Sequence, residues 1–423
     1  MTFESALDCF SSDVTGRCCP TMNWVKSDSP SNKRKNRRML IDVIRSQMTT
    51  SRVEISRLTH LSKVAVSALI DSLVQDGVVE ETGSGDSSVG RKPILLSLSD
   101  RSGFILGIEL NHDYGRIICL SLNNKIVHLK HFQFTTTERQ LLLDKILTEV
   151  RAFIVELPTS RYGVLGIGMA IRGVVNKDQS TVIKFAETQV LDHFNLGQFL
   201  STEFGLPVII DNRSNAAAWG EHLLGVARNS RSSVFIMPVR IGVGCGLVLD
   251  NHLYRGVNGF AGEISHMPVD SSGPACAKGH RGCLSVFISE LGIRRICKEL
   301  GLNTGPGDVL GDSEQVPWLI QQAELGDLRA QSVFRSIGKS LGVGLASLVT
   351  VMAPDTIVIG GRLAPAIGWL RPKILETLES HCSEMLLESI KIVVPENALS
   401  TVVRGAAALA IDLCLERLAF GSL

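Results

Sequence analysis

SRVEISRLTHLSKVAVSALIDSLVQDG, residues Ser51–Gly77, carries its own punctuation. Ser51 followed three residues later by Glu54 has the pattern of a capping box, in which a hydroxyl and a carboxylate satisfy free amides at a helix start. The spacing predicts a short helix to about Thr59. Thr59, His60 and Leu61 then make a tight turn, and Ser62 is placed to cap the next helix. In that helix Val66, Leu69, Ile70 and Leu73 share one face, the periodicity of a buried stripe, and Gly77 ends it. Capped helix, tight turn and capped helix make the outline of a helix-turn-helix.

The flanks extend that outline. Upstream, Met39, Leu40, Val43 and Ile44 recur at helical spacing and predict an amphipathic helix with a basic outer face. Downstream, two β-branched runs, Val78–Thr82 and Ile94–Leu98, flank a turn with Gly90, Arg91, Lys92 and Pro93, which reads as a wing. Between Ser29 and Val66, nine basic residues against two acidic ones leave a local charge of +7. A winged helix-turn-helix with that charge is expected to bind double-stranded operator DNA through residues 32–98. Lys63 and Ser67 are placed to face bases, while Arg34, Lys35, Arg37 and Arg38, with Arg91 and Lys92 of the wing, are placed to contact the backbone. The bland alternative is a small helical domain whose charge run keeps one face wet. One winged unit covers one half-site, so a homodimer or homotetramer on an inverted repeat is expected. Residues 1–31, rich in Ser, Asp, Thr and Pro, read as a flexible lead-in.

With 423 residues, 44 % of them hydrophobic and 20 % charged, the chain has globular composition and is too long for one core. The net charge of +1 excludes a polycation or an acidic tail as the whole molecule. No apolar run reaches the roughly 18–20 residues that span a bilayer. The first residues have two acids and no apolar segment of a leader, so no membrane association is expected and the ten cysteines fit a reducing cytoplasm. After Asp100 the texture is α/β. Strands are expected at Ser102–Leu110, Arg116–Leu122, Ile126–Phe134, Val164–Ile171, Pro207–Ile210, Ser233–Val239 and Gly246–Asp250. A helix is expected over Glu138–Glu156, and an Ala-rich helix from near Gly405 to the end. Three strands, helix, strand, helix recur roughly twice, as in a two-lobed architecture.

DNHLYRGVNGFAGEISHMPVDSSGPACAKGHRGCL (Asp250–Leu284), GIGMAIRGVVN (Gly166–Asn176), DNRSNAAAWGE (Asp211–Glu221) and APDTIVIGGRL (Ala353–Leu363) follow one another in the order found in the ROK family. The chain resembles that family, which contains transcriptional repressors, uncharacterised reading frames and sugar kinases, from about Asn32 onward. The resemblance implies an actin-like, two-lobed sugar-kinase fold behind the winged helix-turn-helix. Its lobes are expected at 99–213 plus 400–423 and at 214–399. The N-terminal domain is similar to that of the repressor members, because the stand-alone kinases lack it. The implied function is a repressor of carbohydrate metabolism controlled by an effector in the cleft. The alternatives are an ATP-dependent sugar kinase with an appended DNA-binding domain and a repressor released by a protein partner.

Three departures from the kinase pattern speak for a non-enzyme that needs no ATP. The first phosphate loop, Asp-x-Gly-Gly-Thr in the family, is Glu109, Leu110, Asn111, His112 and Asp113. The catalytic aspartate is Arg213, which stays protonated and cannot accept a proton. The second phosphate loop is Arg240, Ile241 and Gly242. Of the residues that hold the sugar in the family, Asn212, Glu263 and His266 are kept, while Ser285 replaces a glutamate. Arg172, Arg213 and Arg240 stand where the family has other residues. They either converge on an anionic effector, such as a sugar phosphate, or pair with local acids such as Glu109 and Asp211. The family's zinc site takes one His and three Cys. Here His266, Cys276 and Cys283 match and Lys278 stands for the middle cysteine, so either His280 or a water completes a Zn²⁺ shell or the loop is metal-free with two buried thiols. Cys119, Cys245, Cys297 and Cys414 lie in apolar runs and read as core.

Overall fold

The computed structural model describes residues 30–84, 93–136, 138–185, 188–302 and 314–420. The lead-in up to residue 29 and the wing turn with Arg91 and Lys92 lie outside the described residues. Helix α1 (Pro30–Gln47) buries Leu40, Ile41 and Ile44, and β1 (Thr50–Ser51) runs straight into α2 (Arg52–Thr59). Ser51 caps α2 by accepting the Glu54 amide hydrogen at 3.3 Å. His60 turns the chain in the left-handed region at φ 55°, and Ser62 caps α3 (Lys63–Gln75) by accepting from the Ala65 amide at 3.2 Å. Val66, Leu69, Ile70 and Leu73 are the buried side of α3. Gly77, at φ +66°, admits the reversal into β2 (Val79–Ser84), which pairs antiparallel with β3 (Ile94–Leu98), and β1 closes the other edge of β3. This is a winged helix-turn-helix.

The rest of the chain builds one motif twice. In the first lobe β4 (Phe104–Leu110), β5 (Tyr114–Ser121) and β6 (Ile126–Gln133) form a meander, and α4 (Arg139–Val155) crosses over to β7 (Val164–Ile171). The hairpin β8 (Gly173–Val175) and β9 (Val182–Phe185), then α5 (Leu196–Phe204), lead to β10 (Val208–Asn212) and α6 (Arg213–Leu224). The sheet order is β10-β7-β4-β5-β6. In the second lobe β11 (Ser233–Pro238), β12 (Val243–Leu249) and β13 (His252–Tyr254) repeat the meander. Helices α7 (Ser285–Ile288), α8 (Glu290–Glu299), α9 (Gln315–Glu324) and α10 (Leu328–Met352) cross to β14 (Thr356–Ile359). Then α11 (Ile367–His381) and α12 (Glu384–Leu387) lead to β15 (Lys391–Val393) and the last helix, α13 (Thr401–Phe420). The order β13-β12-β11-β14-β15 is the same as in the first lobe.

Each lobe's final helix packs on the other lobe's sheet. Helix α13 lies on β4 and β7, and α6 on β11 and β12. Both contacts need residues without side chains. A Cβ on Gly107 or Gly168 would collide with the backbone of α13 at Val403 or Ala406, and one on Gly220 would come within 2.6 Å of Gly405 Cα where the two helices cross. The same α13 joins the winged helix-turn-helix to the first lobe, because Leu40, Ile44 and Ile70 share one apolar core with Leu165, Ile411 and Leu415. Among the described residues no helix is long and apolar enough to cross a membrane.

Candidate functional site

The exposed side of α3 begins with Lys63 and Val64 and continues through Ser67, half-buried, and Ala68. Beside it Arg52 is held in place, its guanidinium donating to Asp71 at 2.7 Å and to the Ser67 carbonyl at 3.3 Å. The basic face of α1 is smaller than the charge run suggests. Lys33, Arg34 and Lys35 are exposed, with Arg34 stacked over the Phe420 ring at 5.2 Å. Arg37 is buried and donates to Ser72 Oγ at 2.7 Å and to Asp76 at 2.8 Å. Arg38 donates to Asp42 at 2.9 Å and, from its two terminal nitrogens, to the carbonyl and carboxylate of Asp412. The expectation that Arg37 and Arg38 face the backbone of DNA is therefore corrected: both are committed to contacts within the protein.

A cleft of about 280 Å³ lies between the lobes, lined by Arg172 and Lys184 of the first, Asn212 and Arg213 at the α6 start, and Glu263 and Ser265 of the second. Asn212 Oδ1 caps α6 by accepting the Asn215 amide hydrogen at 2.8 Å. Arg213 faces the carboxylate of Glu109 at 3.1 Å, and Arg116 approaches the other Glu109 oxygen at 3.5 Å. Glu109 is fully buried, so the two guanidiniums are what offsets its desolvation. Asp211 is used in the same manner, accepting from Arg255 at 2.6 Å and from Asn215 at 2.9 Å. The three arginines singled out from the sequence do not converge. Arg172 and Arg213 line the cleft, Arg172 with His112 at 3.4 Å, while Arg240 lies exposed on the turn before Gly242, outside the lining. His266 also lies outside the lining, turned toward Cys276.

Two serines occupy the glycine loop after β11. Ser265 donates to the Val243 carbonyl and accepts its amide hydrogen at 2.8 Å, and Ser214 Oγ sits where a Cβ on Gly244 would be. The glycines here admit neighbouring side chains of the protein itself. Sequence reasoning missed Lys184, Arg255 and Ser265. Ser265 had a legible signal, since it replaces the second glycine of the family's Gly-Glu-Ile-Gly-His.

The loop after Glu263 brings His266, Cys276, His280 and Cys283 together, with all four candidate ligand atoms within 4.8 Å of one another. Lys278 is exposed and outside the group, and His280 supplies the fourth donor. A short bridge between Ala275 and Arg281 and the bond from the Cys276 amide to the His280 carbonyl at 2.7 Å fold the loop back on itself. Two thiols and two imidazoles suit a tetrahedral Zn²⁺ shell, in which ligand atoms at about 2.0–2.3 Å from the metal stand somewhat closer together than here. Burial lowers the His266 pKa, with Lys278 and His280 acting in the same direction and Glu263 against them. By contrast Cys119, Cys245, Cys297 and Cys414 are core residues whose thiols burial pushes up to about 12.

Residues 105–413 match the ROK family. A xylose repressor of Bacillus spizizenii is 30 % identical over 351 residues, 83 % of this chain and 87 % of its own length. A putative xylose repressor of a Caldicellulosiruptor species is 33 % identical over 336 residues, 78 % and 84 % of the two chains. Among solved structures, a ROK family transcriptional regulator homologous to the Escherichia coli MLC protein superposes with a TM-score of 0.77 at 23 % identity, covering 92 % of this chain and 98 % of that one. The family match covers well over half of the chain, and the chain belongs to the ROK family.

Proposed function

We propose that this chain is a DNA-binding transcriptional repressor of carbohydrate use, in which a sugar bound in the cleft controls the winged helix-turn-helix and is not phosphorylated. The observation that carries this reading is the Arg213–Glu109 ion pair in a lobe that shares its core with a DNA-binding unit. A sugar kinase needs a carboxylate general base at the attacked hydroxyl. Here that place holds a guanidinium, already engaged by a buried acid. Asn212, Arg172 and Glu263 remain to hold hydroxyl groups, and the relatives' names point to a pentose such as xylose. The relatives' names point to a neutral sugar, while Arg172 and Lys184 leave the cleft positively charged, so the test includes a sugar phosphate beside the parent sugar. Two copies on an inverted repeat, in the cytoplasm, complete the reading.

The test combines calorimetry with operator binding by the full chain. Xylose or another neutral sugar should bind and change the affinity for a genomic fragment recovered by the protein. Glu263→Ala should remove that response and leave DNA binding intact. ATP-dependent turnover of a sugar above background would overturn the reading, and so would failure to retain any fragment of its own genome. Tight binding of a sugar phosphate with none of the parent sugar would reverse the assignment of a neutral effector.

We also infer that His266, Cys276, His280 and Cys283 hold a structural Zn²⁺, with His280 in place of the usual cysteine. A closed four-ligand shell adds no reactive position and would pin the loop that carries Glu263. Protein purified without chelators should contain about one zinc per chain, lost in His280→Ala and kept in Lys278→Ala. Absence of zinc in the natural protein, or its retention in His280→Ala, removes the assignment.

A further inference from the structure

We infer that Val64 reads the methyl group of a thymine in the operator; the inference rests on the DNA-binding reading above. Val64 is in the first turn of α3 and is 81 % exposed, although nothing in the fold requires an apolar residue there. Ser67, Ala68 and Asp71 continue the same side of the helix at i+3, i+4 and i+7. The charged neighbours suited to bidentate contact with bases lie in surface ion pairs within the protein. Arg52 is bound to Asp71 at 2.7 Å, and Arg57 to Glu54 at 2.6 Å and 2.9 Å. What the first two turns of α3 offer outward is one ammonium, one hydroxyl and a cluster of methyl groups on Val64 and Ala68, with the Asp71 carboxylate beyond them.

Double-stranded DNA answers to that chemistry. In the major groove thymine alone among the four bases presents a methyl group, and small apolar side chains contact it. Ala65 and Ala68 let the helix backbone approach closely, and the exposed Lys33 and Lys35 of α1 supply charge complementary to phosphates.

Duplexes are selected by the full-length protein from a randomised pool, and each dT of the recovered half-site is then replaced by dU, which removes only the methyl. At one position of each half-site, dU should weaken the natural protein by about fourfold, the value of one buried methyl-sized group. Val64→Ala should bind the dT duplex with the same loss and be indifferent to dU at that position, while keeping any effects at the others. Natural protein indifferent to dU throughout, or Val64→Ala retaining every dU effect, overturns the role of Val64. A pool from which nothing is retained overturns the DNA-binding reading itself, an outcome distinct from selected duplexes whose methyl groups do not matter.

Discussion

Helix α13 meets two neighbours in opposite ways. Toward α6 and the first sheet it presents Gly405 and a run of alanines, and the partner positions are Gly107, Gly168 and Gly220, so backbone lies nearly on backbone. Toward α1 it presents Asp412 and Phe420, met by Arg38 and Arg34 through long side chains. The first contact has no rotamer to change. It can only be kept or broken. The second has an apolar centre, where Leu40 and Ile44 meet Ile411 and Leu415, and a rim of part-exposed ion pairs that can exchange partners at little cost. The lobes are therefore locked to one helix backbone against backbone, while the winged unit meets that helix through side chains, apolar at the centre and polar at the rim.

The contrast can be broken at either end. Gly405→Val puts a side chain into the carbonyl of Ala216, with no room in the helix crossing, and should cost more than about 3 kcal/mol of stability or prevent folding altogether. Urea unfolding reads this directly, and a midpoint equal to that of the natural protein would mean that the crossing is looser than described. Arg38→Ala should cost about 1 kcal/mol, since its partners Asp42 and Asp412 are 42 % and 61 % exposed in their side chains. Amide exchange should then quicken in α1 and stay unchanged in α13. A loss in Arg38→Ala as large as that in Gly405→Val would erase the distinction.

Local chemistry was the most legible part of this molecule. The caps at Ser51 and Ser62 and the buried stripe of α3 need only neighbours within four residues, and the structure holds all of them. Strand β7 runs over Val164–Ile171, the apolar run read from the sequence. The start of α13 was less legible. Val402 and Val403 are β-branched and weaken the local helix signal, yet the helix begins at Thr401 because packing on β4 and β7 outweighs propensity. Arg37 was misplaced by its company in a charge run. Its spacing of three, four and seven residues from Leu40, Ile41 and Ile44 puts it on the buried face, and that signal was present. The Arg213–Glu109 pair is different, since 104 positions separate the partners and only the assembled sheet brings β4 to the α6 start. The sequence offered Glu109 as one of several acids without choosing among them. His280 was equally one of two options until the loop geometry put it beside His266.

Glu109 also ties the identity of residue 213 to a buried charge. Changing Arg213 to aspartate restores the residue type that abstracts a proton, but it places a second carboxylate beside a fully buried one and leaves Arg116 to face both. Glu109 and Arg213 therefore form a unit whose members cannot be exchanged singly without leaving a buried charge unpaired.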